Sequence, residues 1–218
     1  MPVGPTGCNA ARGDDEARSS GGWQVSLMHG QSWSYLHFED GTEPVMNQQT
    51  AVGSLGYFFR SGWSVAVSGG GVFGGTVRGD GHDLGFGPGF LVSVRVAWRW
   101  LEEDGPVPFV VTSLSASFTR SAIASGARRS DVVLGTDFRL GFTVGYTLFD
   151  ILQIYVSPRV FGGPIFIPGL GGRIQGRDRF FVQVGLGGAL LLPAGLTLFV
   201  DGSPGGERAL AGGLAISF

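Results

Sequence analysis

The chain has 218 residues, enough for one sizeable domain, and its net charge of −2 leaves no basic patch and excludes nucleic acid as a partner. Only 15% of the residues are charged, against about a quarter in soluble domains, while 43% are hydrophobic and 12% aromatic. Too few charges to cover a surface, beside so many aromatics, place lipid among the solvents, and the lone Cys8 excludes an internal disulfide.

Residues 1–21 are polar and read as a flexible tail, with Cys8 a free thiol in it. No apolar run precedes Gly7-Cys8, as a lipid-attachment site would require, and no secretory signal is visible, so the sequence is expected to start where one was removed or replaced. From residue 22 onward, period-two alternation of apolar and small or polar residues dominates. It places strands at 22–37, 49–60, 62–77, 88–101, 107–120, 132–149, 151–162, 179–192, 195–203 and 207–218. In 88–101, Phe90, Val92, Val94, Val96, Trp98 and Trp100 share one face, and Leu91, Ser93, Arg95, Ala97 and Arg99 the other. In 132–149, Phe138, Leu140, Phe142, Val144, Tyr146 and Leu148 oppose Asp137, Arg139, Gly141, Thr143, Gly145 and Thr147. The stretch 180–200 is free of charge and long enough for a membrane helix. Pro193, Gly195 and the earlier Gly185, Gly187 and Gly188 break it, and Pro193-Ala194-Gly195 reads as a turn between strands.

Soluble strands usually run about five or six residues; a tilted strand needs about nine to eleven to cross a membrane, and these runs are of that longer kind. The expected fold is all-β: a closed up-and-down antiparallel transmembrane β-barrel over 22–218, with about ten strands and eight as the alternative. Connections near Ser61, Asp104, Asp150 and Ala194 are short. Those at 38–48, 78–87, 121–131 and 163–178 are longer and rich in Gly, Asp, Pro or Arg, with 204–206 an exception. Short turns thus lie on one rim and loops on the other, both termini on the short-turn side. Aromatics fall at the two levels this topology defines. Trp23, Tyr57, Phe59, Trp63, Trp98, Trp100, Phe109 and Tyr146 lie near the short-turn rim. Trp33, Tyr35, Phe73, Phe90, Phe118, Phe138, Phe161 and Phe180 lie toward the other. Such girdles mark membrane interfaces, where the ring is apolar and its polar atom still needs water.

If the apolar faces meet lipid, the opposite faces line the barrel. An arginine facing lipid at the midplane costs about 2–4 kcal/mol, so Arg95, Arg99, Arg139 and Arg159 are expected to point inward, with Asp137, Gln153, Gln183 and Asp201. Asp137 and Arg139 are expected to lie beside Arg159 in an ion-pair network that holds the barrel's shape. Much of the remaining wall is small, as in Ser113, Ser115 and Ser117 or Gly185, Gly187 and Ala189. Ten strands so lined leave a narrow water path in which arginines favour anions, unless Arg, Gln, Tyr155 and Phe199 fill it.

The chain ends on Ala211-Gly212-Gly213-Leu214-Ala215-Ile216-Ser217-Phe218, which alternates to the last residue. Gly213, Ile216 and the closing Phe218 resemble the C-terminal assembly signal of Gram-negative outer-membrane β-barrels. The resemblance implies residence in the cell outer membrane among lipid and lipopolysaccharide, insertion by the barrel-assembly machinery, and a role as a narrow pore for small solutes or a structural envelope component. A barrel serving as an anchor that presents its outer loops to a partner is the alternative. In the outer loops, Asp80, His82 and Asp83 with His37, Glu39 and Asp40 resemble the rim residues of omptins, ten-stranded outer-membrane proteases. That resemblance makes an omptin-like outer-membrane hydrolase a second alternative; the loop 163–178 has no histidine to complete such a set, so no catalytic residues, metal or cofactor are expected. Oligomeric state is left open.

Overall fold

The computed structural model describes residues 21–39, 41–79, 82–123, 132–169 and 172–218. Nearly all of them are strand: β1 Gly22–Phe38, β2 Val45–Phe58, β3 Trp63–Gly79, β4 His82–Leu101, β5 Phe109–Ile123, β6 Val132–Leu148, β7 Leu152–Gly162, β8 Pro164–Gly169, β9 Gly172–Asp178, β10 Val182–Leu191, β11 Leu196–Gly205 and β12 Arg208–Ser217. All pairings are antiparallel, and β12 returns to pair with β1 from Gln24↔Ser217 to Trp33↔Arg208, closing a ten-strand barrel with two further strands. Closure removes every edge, which a membrane demands because lipid offers no partner for a free N–H or C=O.

The last residue takes part in the seam. Trp23 N donates to the Phe218 carbonyl (2.8 Å) and Phe218 N donates to the Trp23 carbonyl (3.0 Å), while the Phe218 ring is largely exposed. Deleting Phe218 is expected to reduce the amount of barrel inserted in cells more than the melting temperature of the barrel that does form. Western blots of outer-membrane fractions, with and without boiling, read the first quantity. Normal insertion of the truncated chain would contradict it.

Two departures from the sequence reading matter for the lumen. Residues 163–178, read as a loop, contain β8 and β9. This hairpin pairs on one side with β6 (Leu134↔Phe166, Gly135↔Ile165) and on the other with β1 (Leu36↔Asp178 to Phe38↔Gly176). Pro164 and Pro168 and the glycines around them signal a loop, but a proline is tolerated as the first residue of a strand, where Pro164 stands. The barrel therefore has two tiers. Ten strands, β1–β7 and β10–β12, form the lower one; above the short β11–β12 hairpin, eight strands, β1–β6 with β8 and β9, form the upper one. The expected loops at 38–48 and 78–87 also shrink, because β2 starts at Val45 and β4 at His82. Register shifts lie next to these ends, between Gln49 and Thr50 on β2 and between Phe86 and Gly89 on β4, where an extra residue bends the ladder without ending it.

Burial follows the period of two. On β7, Gln153, Tyr155, Ser157, Arg159 and Phe161 are buried, and the residues between them are exposed. Exposed large hydrophobics cover the outside from Trp23 and Val25 on β1 to Leu214 and Ile216 on β12. A belt of that extent is incompatible with water and makes this a transmembrane barrel of the outer-membrane type.

Candidate functional site in the barrel lumen

The inward faces carry the polar chemistry. Arg95 and Arg99 on β4 point inward and are half-buried; Asp137 and Arg139 on β6, Gln153 and Arg159 on β7, Gln183 on β10 and Asp201 on β11 are all buried. Each shares parity with small or apolar inward neighbours on its strand, so the pleat alone fixes its direction. Near the lower rim Arg99 meets Glu102 (3.6 Å).

Two ion clusters form in mid-lumen. Arg139 donates through Nε to Asp137 Oδ2 (2.5 Å), through Nη2 to Glu207 Oε2 (2.5 Å) and through Nη1 to Gln183 Oε1 (3.3 Å), and its guanidinium lies 5.0 Å from the centre of the Phe161 ring. Glu207 also accepts from Ser34 Oγ (3.0 Å), and its carbonyl accepts from Gln183 Nε2 (2.7 Å). Arg159 grips Asp201 with both terminal nitrogens (3.1 and 2.7 Å), and Tyr155 Oη donates to the same carboxylate (3.1 Å). The carboxylate of Arg159 is thus Asp201 and not Asp137. Asp201 is the acid on the inward face of β11, whereas Asp137 points its Oδ2 along its own strand to Arg139. Glu207 was missed from the sequence because it stands in the turn before β12, where alternation no longer assigns a face. The signal that could have found it is charge balance, since four inward arginines with only two inward acids call for another carboxylate.

The rings that enter the lumen lie over glycines on the neighbouring strand. Tyr155 covers its partner Gly187, Phe109 covers Gly145 and Phe199 covers Gly213. A side-chain carbon at any of the three would stand within 2.7 Å of the ring. Gly185 likewise leaves room for Arg159, whose Nη2 would be 2.8 Å from such a carbon. These rings, with Met28, Leu91 and Val111, belong to one apolar cluster. A second cluster of Leu36, Phe38, Met46, Val77, Phe86, Val133, Ile165 and Ile167 occupies the upper tier as a collar. It sits where the ring has eight strands, a number whose interior side chains just fill. Several inward polar atoms have no hydrogen-bond partner among the described residues: Gln48 Oε1 and Thr50 Oγ1 on β2, Ser117 Oγ and Ser121 Oγ on β5, and both amide atoms of Gln153, whose side chain is fully buried. Each such atom costs about 1–3 kcal/mol if left dry.

The outer surface carries the two girdles. At the lower rim Trp23 and Tyr57 meet edge to face (5.0 Å), Tyr57 meets Phe59 (4.9 Å), Trp63 stacks on Trp98 (5.3 Å) and Trp98 touches Trp100 (3.9 Å). Trp100 Nε1 donates to Thr112 Oγ1 (2.8 Å), and Tyr146 Oη donates to the Pro106 carbonyl. At the upper level Tyr35 meets Phe180 (5.8 Å) and Phe90 meets Phe118 (6.1 Å). Phe109 and Phe161, expected in the girdles, are buried inward; Phe109 shares parity with Ser113 and Phe161 with Arg159. Of the rim residues, His37 pairs with Glu43 (3.3 Å), which also accepts from Arg179 (2.7 Å). Asp40, Asp80, the side chains of His82 and Asp83, and the opening segment 1–20 with Cys8 lie outside the described residues.

No protein-family model matches the chain, and no curated protein sequence matches it. Among solved structures it is similar to the outer-membrane protein OprG from Pseudomonas aeruginosa, at 13% identity and a TM-score of 0.48, over 91% of this chain and 96% of that one. It is similar to the β domain of the Bordetella autotransporter BrkA, at 15% identity and a TM-score of 0.47, over 90% of this chain and 99% of the other. It is also similar to the outer-membrane protease OmpT from Escherichia coli, at 11% identity and a TM-score of 0.43, over 91% and 96% of the two chains. The likeness is one of overall architecture.

Proposed function

We propose that this chain is an outer-membrane channel: a narrow passage for small solutes, wet through its ten-strand tier and closed at its outer mouth by the apolar collar. The observation that carries this reading is the set of polar atoms unpartnered among the described residues on the inward faces of the ten-strand tier, Thr50 on β2, Ser117 on β5 and Gln153 on β7. Buried groups of this kind call for water molecules between the side chains, because a dry lumen would penalise every one. Width supports it, since barrel diameter grows with strand number and the lower tier has ten strands against eight above. The charge pattern bears on selectivity. Arg139 and Arg159 are both engaged by carboxylates, so the wall has compensated charge rather than an exposed basic ring. That favours small uncharged or zwitterionic solutes over strict anion selection. No catalytic role is assigned.

Planar-bilayer recordings on refolded protein test the reading, together with the collar variant Phe38→Ala, Phe86→Ala. Both rings are buried in the collar. The native chain should give small, brief conductance steps, and the variant should conduct several-fold more while keeping its heat-sensitive gel mobility. Silence from both proteins, with no swelling of vesicles in small sugars or amino acids, would mean a closed structural barrel.

A further inference from the structure

We propose that the lipid-facing surface around His29 is the contact through which two copies of this chain associate in the membrane. On β1 the outward residues between the girdle tryptophans Trp23 and Trp33 are Val25, Leu27, His29 and Gln31. His29 is exposed, lies midway between the two interfaces and has no hydrogen-bond partner among the described residues. Beside it, Gln31 is paired across the ladder with the exposed Gln49, and the Gln31 amide donates to Asn47 Oδ1 (3.2 Å). Elsewhere the same belt carries Val92, Val94, Leu114, Leu140, Leu186 and Val200. Hydrocarbon offers nothing to an imidazole or an amide, so such a breach marks a surface that another protein covers.

The floor of the patch supports this independently. His29 is paired with Ala51 on β2 and Gly212 on β12, and Gly53 and Gly69 continue the patch across β2 and β3. A side-chain carbon built on Gly69 would meet no atom within 4 Å, and one on Gly53 nothing closer than 3.9 Å. The barrel itself therefore does not require glycine at either place, although glycine weakens a strand. Close approach of another backbone explains them, as at small-residue contacts between membrane segments.

The occupant is a second copy because the patch complements itself. Two identical barrels inserted in the same sense are related by a two-fold axis along the membrane normal. That operation keeps every residue at its own depth, so His29 and Gln31 of one copy face His29 and Gln31 of the other. A neutral imidazole has one donor and one acceptor, and an amide has both, so the two copies satisfy each other without bringing like charges together. Lipopolysaccharide sugars sit at the outer rim, above the depth of His29.

The test uses the full chain refolded into phosphatidylcholine vesicles, on a Cys8→Ser background. Leu27→Cys should form disulfide-linked dimers under mild oxidation, and Leu140→Cys, equally exposed on the far side, should not. The double change His29→Leu, Gln31→Leu should weaken dimerisation in detergent by about tenfold, as one to two membrane hydrogen bonds imply. Gly69→Leu, which has free space in the monomer, should fold with normal heat-sensitive mobility and yet fail to dimerise. A monomer at every protein-to-lipid ratio, equal cross-linking from both faces, or dimers untouched by Gly69→Leu would overturn the proposal. So would cross-linking in cells only to a different chain.

Discussion

Replacing Glu207 with alanine is expected to lower the unfolding free energy of the refolded barrel by about 3 kcal/mol, the lower end for breaking a buried ion pair. Glu207 is 2% exposed and joins four elements: Arg139 of β6, Ser34 of β1, Gln183 of β10 and the turn it stands in. Its loss leaves Asp137 as the one carboxylate on the Arg139 guanidinium among the described residues, and Asp137 accepts from Nε rather than from the terminal nitrogen that faced Glu207. Because one carboxylate remains, the effect should fall short of stranding the charge altogether. Glu207→Gln should cost less, since an amide can still accept from Ser34 Oγ and leaves the backbone carbonyl in place for Gln183. The combination Arg139→Met, Asp137→Asn, Glu207→Gln should recover much of the loss, as a buried ion cluster is often replaceable by matched neutral groups. Urea titrations in detergent, read by tryptophan fluorescence, give all three values. A loss within about 0.5 kcal/mol for Glu207→Ala would mean the cluster is screened by water as a surface pair is.

This cluster shows where the sequence was informative and where it stopped. Parity within a strand is rigid, so once Trp98 and Trp100 are assigned to lipid, Arg95 and Arg99 must turn inward, and Asp137 and Arg139 follow from Phe138 and Leu140. Phe109 and Phe161 obeyed the same rule; reading them by height alone put them in the girdles, although Ser113 and Arg159 share their faces. Which acid meets which arginine is set between strands. The Arg159–Asp201 pair needs the stagger of β7, β10 and β11, which period-two alternation does not encode. The upper tier was hidden for another reason. Glycine and proline in 163–178 are local breaker signals, and here the long strands β1 and β6 override them by offering β9 and β8 a ready partner. The narrowing from ten strands to eight, on which the closed outer mouth rests, follows from that override.

Gly213→Ala should destabilise the barrel by about 1–3 kcal/mol as an overpacked core position and sharply reduce its yield, while Gly212→Ala, one residue earlier, should be nearly silent. Gly213 belongs to the terminal pattern that resembles an assembly signal, so loss of yield alone would be read as failed recognition. The geometry gives a second cause. Gly213 faces the lumen on β12, where an added carbon would stand 2.2 Å from the Leu27 carbonyl oxygen, 2.7 Å from the Phe199 ring and 2.9 Å from the Met28 Cα. Leu27 and Met28 lie on β1, across the seam that closes the barrel, so the clash falls on the pairing that must form last. Two of the three obstacles are backbone, which cannot rotate away, and the Phe199 ring is buried among its neighbours. Gly212 faces lipid, and its nearest contact would be an ordinary 3.4 Å from the Phe199 carbonyl. Phe199→Ala combined with Gly213→Ala separates the causes further. It removes the ring but leaves the Leu27 carbonyl, so it should restore only part of the stability. Refolding into detergent without any assembly machinery decides between the two readings. If purified Gly213→Ala refolds with native stability and only insertion in cells fails, the glycine serves recognition; if refolding itself is impaired, the tight approach of β12 to β1 is what requires it.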